Sequence, residues 1–259
     1  MLSSTQFSTE QLRTVAIVGH GAAGKTTLVE QLLAKSGMIG AAGSVEKGST
    51  VSDFDPLERA ALHSLRASVV HCDHTAGDVS ARIHLIDTPG YPDFIGQALG
   101  ALDAVETVAV VVSATGGIEL VTRRMMDWAR ARRLCRMIVV NKIDHEHIDL
   151  PALLAQLQET FGAEVLPINL PADGGSRVVD CFFNLSGDAT DFSSIEDAHR
   201  ALVEQVVEVD EALTERYLEG EEIAPEALHD AFERALREDH LVPVLFVSAR
   251  TGAGNATAP

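Results

Sequence analysis

The chain has 259 residues, 46% of them hydrophobic, and carries 20 Lys and Arg against 38 Asp and Glu, a formal net charge of −18. That content supports a sizeable core, while no apolar run approaches the ~20 residues of a membrane span and the N-terminus, with Glu10 and no apolar stretch, has no secretory signal. The expectations are a cytoplasmic protein with no membrane and no DNA partner, whose Cys72, Cys135 and Cys181, odd in number and widely spaced, are reduced thiols.

Residues 14–18 are a short apolar, β-rich run that reads as a buried parallel strand, and residues 25–35 place Leu28, Leu32 and Leu33 at the spacing of an amphipathic helix. Between them lies Gly19-His20-Gly21-Ala22-Ala23-Gly24-Lys25-Thr26. Its three glycines let the backbone turn sharply, so that N–H groups converge on phosphate oxygens at a helix N-terminus. In such a cradle Lys25 reaches the β- and γ-phosphates and the Thr26 hydroxyl ligates magnesium.

A second strand is expected over residues 82–86, followed by Asp87-Thr88-Pro89-Gly90. A loop starting there sits beside the cradle at the carboxyl edge of a parallel sheet, where the Asp87 carboxylate can hold magnesium through water and the Gly90 N–H can sense the γ-phosphate. Further on, Arg123, Arg124, Arg130, Arg132, Arg133 and Arg136 surround a helix expected to begin near Gly117. They form either a basic contact face for ribosomal RNA or an acidic partner, or an ordinary solvated exterior.

The apolar run 137–140 ends in Asn141-Lys142-Ile143-Asp144. A carboxylate at that position accepts two hydrogen bonds from guanine N1–H and N2–H, whereas adenine offers an acceptor at N1 and no N2 amine. ATP would leave Asp144 buried and unpaired, so guanine is the expected base. Asn141 is placed to brace neighbouring loops, the Lys142 stem to cover one face of the base, and the Ser248-Ala249 backbone, after an expected strand at 244–247, to donate to O6. Phosphate cradle, magnesium site and guanine pocket together imply GTP or GDP with Mg2+. The clusters His71-Cys72-Asp73-His74 and His145-Glu146-His147 fit no standard zinc spacing.

Charge is uneven: through Leu150 there are 14 basic and 17 acidic residues, and from Pro151 onward 6 and 21. In the acidic half, residues 172–176 read as a loop, 176–185 as a strand, and 194–218 and 225–236 as helices with acidic faces. Such a surface disfavours RNA and serves either a basic protein partner or solubility.

These motifs resemble those of the translational GTPases, most closely the nucleotide-binding domain of elongation factor G and its paralogues. The resemblance rests on Gly19-His20, the doubled Thr26-Thr27, the Asp87-Thr88-Pro89-Gly90 turn leading to Asp93-Phe94, Gly116-Gly117-Ile118, and the long gap between Asn141-Lys142-Ile143-Asp144 and Ser248-Ala249. It implies a doubly wound, mainly parallel α/β sheet of the phosphate-loop GTPase type with an inserted α/β subdomain: residues 1–166 and 241–259 for nucleotide, 167–240 for the acidic insert. It also implies GTP hydrolysis on the ribosome, and an insert that faces the ribosomal stalk. The chain stops at Pro259, before the closing helix such a domain is expected to have.

Three departures stand out. Tyr91 follows the turn where the family has a water-orienting histidine; it is either a weaker water-binding substitute or a packing residue. The family's Arg-Gly-Ile-Thr stretch is missing from residues 48–68, the segment where the resemblance places the first switch, and by resemblance to the elongation factor G-like paralogues Ser64 either replaces the magnesium-binding threonine or is an ordinary loop hydroxyl. Ala22 stands where an aspartate is common, which puts any monovalent-cation site in doubt. Two readings follow: a ribosome-stimulated GTPase, or a GTP-responsive binding switch with little turnover.

Overall fold

The computed structural model describes residues 7–76, 79–182, 189–221, 223 and 225–254. Its centre is a strand whose neighbours are all parallel to it. β1 (Leu12–Gly19) lies between β3 (Val79–Asp87) and β4 (Thr107–Ser113), with Ala16 opposite Ile86 on one side and Val108 on the other. Beyond β4 come β5 (Cys135–Asn141), β9 (Val242–Phe246) and the short β6 (Val165–Pro167), all parallel. On the far side β2 (Ser68–Ala76) pairs antiparallel with β3, giving the seven-stranded order β2-β3-β1-β4-β5-β9-β6. This is the doubly wound α/β architecture expected from the sequence.

Apolar runs make these strands because both faces of the sheet are covered. Successive side chains alternate between the faces. Ala16, Val18, Val108, Val110 and Val112 therefore meet α3 (Ile95–Leu102), α4 (Leu120–Ala131) and α5 (Leu150–Phe161) through Leu102, Met125 and Leu157. Ile17, Ala109 and Val111 face the other way, onto Leu28, Val29 and Leu33 of α1 (Lys25–Lys35). Each fully buried aliphatic side chain contributes about 1.5–3 kcal/mol.

A second apolar cluster, containing Leu170, Val179, Leu202, Val206, Ala235 and Leu241, gathers the hairpin of β7 (Asn169–Ala172) and β8 (Arg177–Asp180) under α6 (Ile195–Val207) and α8 (Pro225–Arg237). The hairpin turn rests on the main sheet. Gly175, at φ +75°, leaves no room for a Cβ, which would lie 2.1 Å from the Ile143 carbonyl oxygen. From the other side the Asn169 amide donates to Phe246 O (3.2 Å) and its Oδ1 accepts from Phe246 N–H (2.7 Å).

Two sequence expectations are corrected here. The helix expected over residues 194–218 is broken into α6 and α7 (Glu211–Leu218), because the Asp210 carboxylate accepts from the N–H groups of Ala212 (3.0 Å) and Leu213 (3.2 Å) and starts a new helix. Arg136 does not belong to a basic helix face. It lies on β5, 3% exposed, with its guanidinium on Asp239, which begins the return from α8 to the sheet. Arg132, just past α4, pairs with Asp103 at 2.8 Å. Of the strand expected at 176–185, residues 177–180 form β8 and residues 183–185 lie outside the described residues.

Candidate functional site

The loop between β1 and α1 curls around the Lys25 ammonium, which donates to Gly19 O (3.0 Å) and His20 O (2.8 Å). This needs glycine at two points. A Cβ on Gly19 would lie 2.3 Å from Val111 O, and one on Gly24, at φ +92°, 2.3 Å from the Asn141 Nδ2. Burial lowers the Lys25 amine to about 8 against the opposing pull of Asp87 and Glu119, so its buried charge favours an anionic ligand here. His20 Nε2 meets the Glu119 carboxylate at 2.6 Å, a pairing the sequence did not suggest.

At the end of β3 the Asp87 carboxyl is 1% exposed, and neither of its oxygens makes a hydrogen bond of good geometry, although the Thr26 and Ser52 hydroxyls lie near enough to act on it. Burial pushes it up to about 6, partly offset by the Thr26 hydroxyl and the Lys25 ammonium. A buried carboxylate so weakly served by donors is unfavourable unless a cation satisfies it. Thr26 Oγ1 and Ser64 Oγ stand 3.2 Å apart, both buried. The structure therefore brings together the three residues expected to hold magnesium, and adds two that sequence reasoning missed: Asp53, 4% exposed, and Ser52, whose buried hydroxyl is unpartnered. Burial raises the Asp53 carboxyl, with Ser64 acting against it. Hard oxygen donors of this kind suit Mg2+.

Two buried glutamates hold the segment that carries Ser64. Glu30, on α1, accepts from the N–H groups of Gly43 (2.8 Å) and Val51 (2.6 Å). Glu58 lies on α2 (Pro56–Ala61) and accepts from Leu65 (2.9 Å) and Arg66 (3.0 Å). Glu58 had a local signal: Asp55-Pro56-Leu57-Glu58 is a capping box with proline at the first helical position. Glu30 had none.

Gly90 packs so closely on the cradle that a Cβ would lie 2.2 Å from Lys25 Nζ and 2.6 Å from the His20 carbonyl. The Tyr91 ring covers Gly21, where a Cβ would come within 3.0 Å of it, and stacks obliquely on His63 with ring centroids 4.6 Å apart.

At the end of β5, Asn141 ties three loops together. Its amide donates to Ala23 O (2.9 Å), and its Oδ1 accepts from Lys142 N–H (2.8 Å) and Ala249 N–H (2.9 Å). The Ala249 amide is thereby committed within the protein, and the Ser248 N–H donates to Ala253 O (2.8 Å), so neither backbone donor expected for O6 is open here. Asp144 accepts from Arg250 at 2.9 Å. Burial works to raise its carboxyl, but the Ser248 hydroxyl, its own backbone N–H and Arg250 together hold it below the ordinary value.

Two cavities run along this edge. One, of 270 Å³, is lined by Lys25, Thr26, Ser64, Gly90 and Tyr91, and the other, of 330 Å³, by Asn141, Asp144, Ala249 and Arg250. Gly24, Thr27, Glu46 and Lys142 line both. The result is a trench with Lys25 toward one end and Asp144 with Arg250 at the other, and further carboxylates, Asp53 and the shared Glu46, in its lining. Ala22, at φ +59°, lines the Lys25 end.

Residues 10–257 match the family described as the elongation factor Tu GTP binding domain. An elongation factor G-like protein of Mycobacterium tuberculosis is 32% identical over 255 residues, covering 94% of this chain and 35% of that protein. A peptide chain release factor 3 of Streptococcus pyogenes is 32% identical over 257 residues, covering 95% of this chain and 48% of that one. A crystal structure of a Thermus thermophilus protein superposes with a TM-score of 0.83 at 37% identity, covering 94% of this chain and 38% of its own. The chain thus spans between a third and a half of the length of these relatives.

Proposed function

Since the chain belongs to the elongation factor Tu GTP-binding domain family of translational GTPases, we propose that it binds GTP with Mg2+ and hydrolyses it to GDP and phosphate, as part of a ribosome-associated step. The observation that carries this reading is Asn141, whose single side chain joins Ala23 of the cradle to Ala249 beside the base pocket. Phosphate recognition and base recognition are thereby fixed at one distance from each other.

In this reading Gly19, His20, Gly21, Ala22, Ala23, Gly24, Lys25, Thr26 and Thr27 wrap the phosphates. Asn141, Lys142, Asp144, Ser248 and Ala249 form the base pocket, with Asp144 selecting guanine through N1–H and N2–H. Thr26, Ser64 and Asp87 hold Mg2+, which when bound neutralises charge on the β- and γ-phosphates. Lys25 offsets the remaining charge, and the Gly90 segment closes on the γ-phosphate and relaxes when phosphate leaves. The domain division of the sequence reading, 1–166 with 241–259 around an insert of 167–240, belongs to the same proposal. The separate apolar cluster under α6 and α8 supports it. The partners belong to the proposal as well: a ribosome, with the acidic insert offered to a basic stalk protein, in the cytoplasm. No helix of the described residues is long and apolar enough to cross a membrane.

Measuring GTP binding in competition with ATP, and phosphate release under single-turnover conditions with and without ribosomes, tests this reading. Equal competition by ATP refutes the guanine assignment, and no ribosomal stimulation in a version carrying the relatives' additional length refutes the translational one. A second reading, a GTP-responsive switch with little turnover, is favoured by Tyr91 standing where a histidine is expected. Hydrolysis by Tyr91→His, compared with the parent, separates the two.

A further inference from the structure

Taking the GTPase reading above as given, we infer that His63, and not Tyr91, supplies the group that orients the attacking water. His63 lines the phosphate-end cavity together with Lys25, Thr26, Gly90 and Tyr91. It is the residue before Ser64, whose hydroxyl lies 3.2 Å from that of Thr26, so the chain can place position 63 nowhere but beside the end of the cradle.

Its protonation geometry follows from one contact. His63 Nδ1 lies 3.2 Å from Ser64 O. A carbonyl oxygen only accepts, so this bond puts the proton of the neutral ring on Nδ1 and leaves Nε2 as a lone-pair acceptor. Among the described residues no group donates to Nε2. The ring is held on both flanks: Tyr91 at 4.6 Å and Phe94 at 6.3 Å between centroids. The backbone is held too, by the His63 N–H on Glu58 O (3.3 Å) and by the Glu58 carboxylate on the amides of Leu65 and Arg66. Tyr91 meanwhile spends its ring as a wall, against Gly21 on one side and the imidazole on the other.

In the step this assigns, a water donates one hydrogen bond to Nε2, which turns an oxygen lone pair toward the γ-phosphorus. The new P–O bond forms as the bond to the β–γ bridging oxygen breaks, and that electron pair leaves on GDP. The water's proton ends on the released inorganic phosphate, and His63 takes part only as a hydrogen-bond acceptor. Position 63 thus restores, from the first switch segment, an imidazole that the residue after Gly90 no longer provides.

Single-turnover hydrolysis and the affinity for a fluorescent GTP analogue, measured on the same samples, test this. His63→Ala should slow hydrolysis about 100-fold, the low end of what a positioned acid–base group contributes. Analogue affinity should stay within about threefold, because the lost contact is to water and not to nucleotide. His63→Gln, which keeps an acceptor oxygen, should recover to within about tenfold of the parent, and Tyr91→Phe, which keeps the ring and loses only the hydroxyl, should slow hydrolysis less than His63→Ala does. The inference is overturned if His63→Ala hydrolyses at the parent rate, if its affinity falls in step with its rate, or if Tyr91→Phe is as slow as His63→Ala. A parent chain that binds GTP and never cleaves it overturns this inference and leaves the nucleotide site standing. One that binds no guanine nucleotide overturns the underlying reading itself.

Discussion

Arg250 donates to the Asp144 carboxylate at 2.9 Å in the cavity that both line, although Arg250 is 77% exposed and Asp144 only 9%. The pair is asymmetric, and the asymmetry sets its worth. An ion pair with one partner in solvent is worth about 0–1 kcal/mol, so in the proposed reading Arg250 is a counterion that an incoming base should displace at little cost. Arg250→Ala should change GTP affinity by less than about fivefold. A larger loss in equilibrium titration would mean that Arg250 grips the nucleotide itself.

Asp144→Asn should be far more damaging, because an amide nitrogen then faces one of guanine's two donors, N1–H or the exocyclic N2–H. Each hydrogen bond to a charged partner is worth about 1.5–3 kcal/mol, so GTP affinity should fall about 100-fold or more. Xanthine, which carries a carbonyl in place of the N2 amine, should gain. Displacement titrations with GTP, XTP and ATP check the order; unchanged GTP preference would remove Asp144 from the base pocket.

Gly90→Ala puts a methyl group 2.2 Å from Lys25 Nζ and 2.6 Å from the His20 backbone, so the backbone resists it and the Lys25 ammonium has to move. Overpacking of this kind costs about 1–3 kcal/mol. With a Tm shift of about 2–4 °C per kcal/mol for a chain of this size, thermal unfolding should show a loss of several degrees. GTP affinity should drop about tenfold or more as Lys25 is pushed from the cradle. A variant that binds and melts like the parent would show that the turn does not close on the phosphates as described.

Arg136→Ala removes a 3% exposed guanidinium from Asp239 and leaves a cavity at the start of β5. Asp239 is 35% exposed and regains water, which places the cost near the low end for a broken buried pair, about 2–3 kcal/mol. Urea unfolding measures it. A cost under about 0.5 kcal/mol would show the pair to be as weak as a surface one.

Four strands of the main sheet, β1, β3, β5 and β9, and the nucleotide motifs were readable in the sequence because each is local, whereas β2, β4 and β6 were not read. Glycine spacing, apolar runs and the residues at strand ends need no knowledge of the rest of the chain. The helix bounds Lys25–Lys35 were legible from Leu28, Leu32 and Leu33 for that reason. What was hidden depends on distant segments meeting. Glu30 sits in a helix as any glutamate does, and only the arrival of Gly43 and Val51 makes it the clamp of the first switch segment. His63 looks like a loop residue until Tyr91 comes alongside. Arg136 reads as one more arginine in a basic run until Asp239 covers it. The break before α7 had a local cause in Asp210, but the continuous apolar spacing on either side masked it.

Gly175 deserves one more measurement. Alanine there would be strained at φ +75° and would force the hairpin off the Ile143 carbonyl, one residue before Asp144. GDP dissociation, followed by stopped flow, should accelerate about tenfold as the base loses its carboxylate alignment. An unchanged rate would show that the hairpin and the base loop move independently.

Main chain resting on main chain leaves no soft padding between the β7–β8 hairpin and the residue before Asp144. A shift of the hairpin at Gly175 is therefore handed to the Ile143 carbonyl with no side chain between them to absorb it.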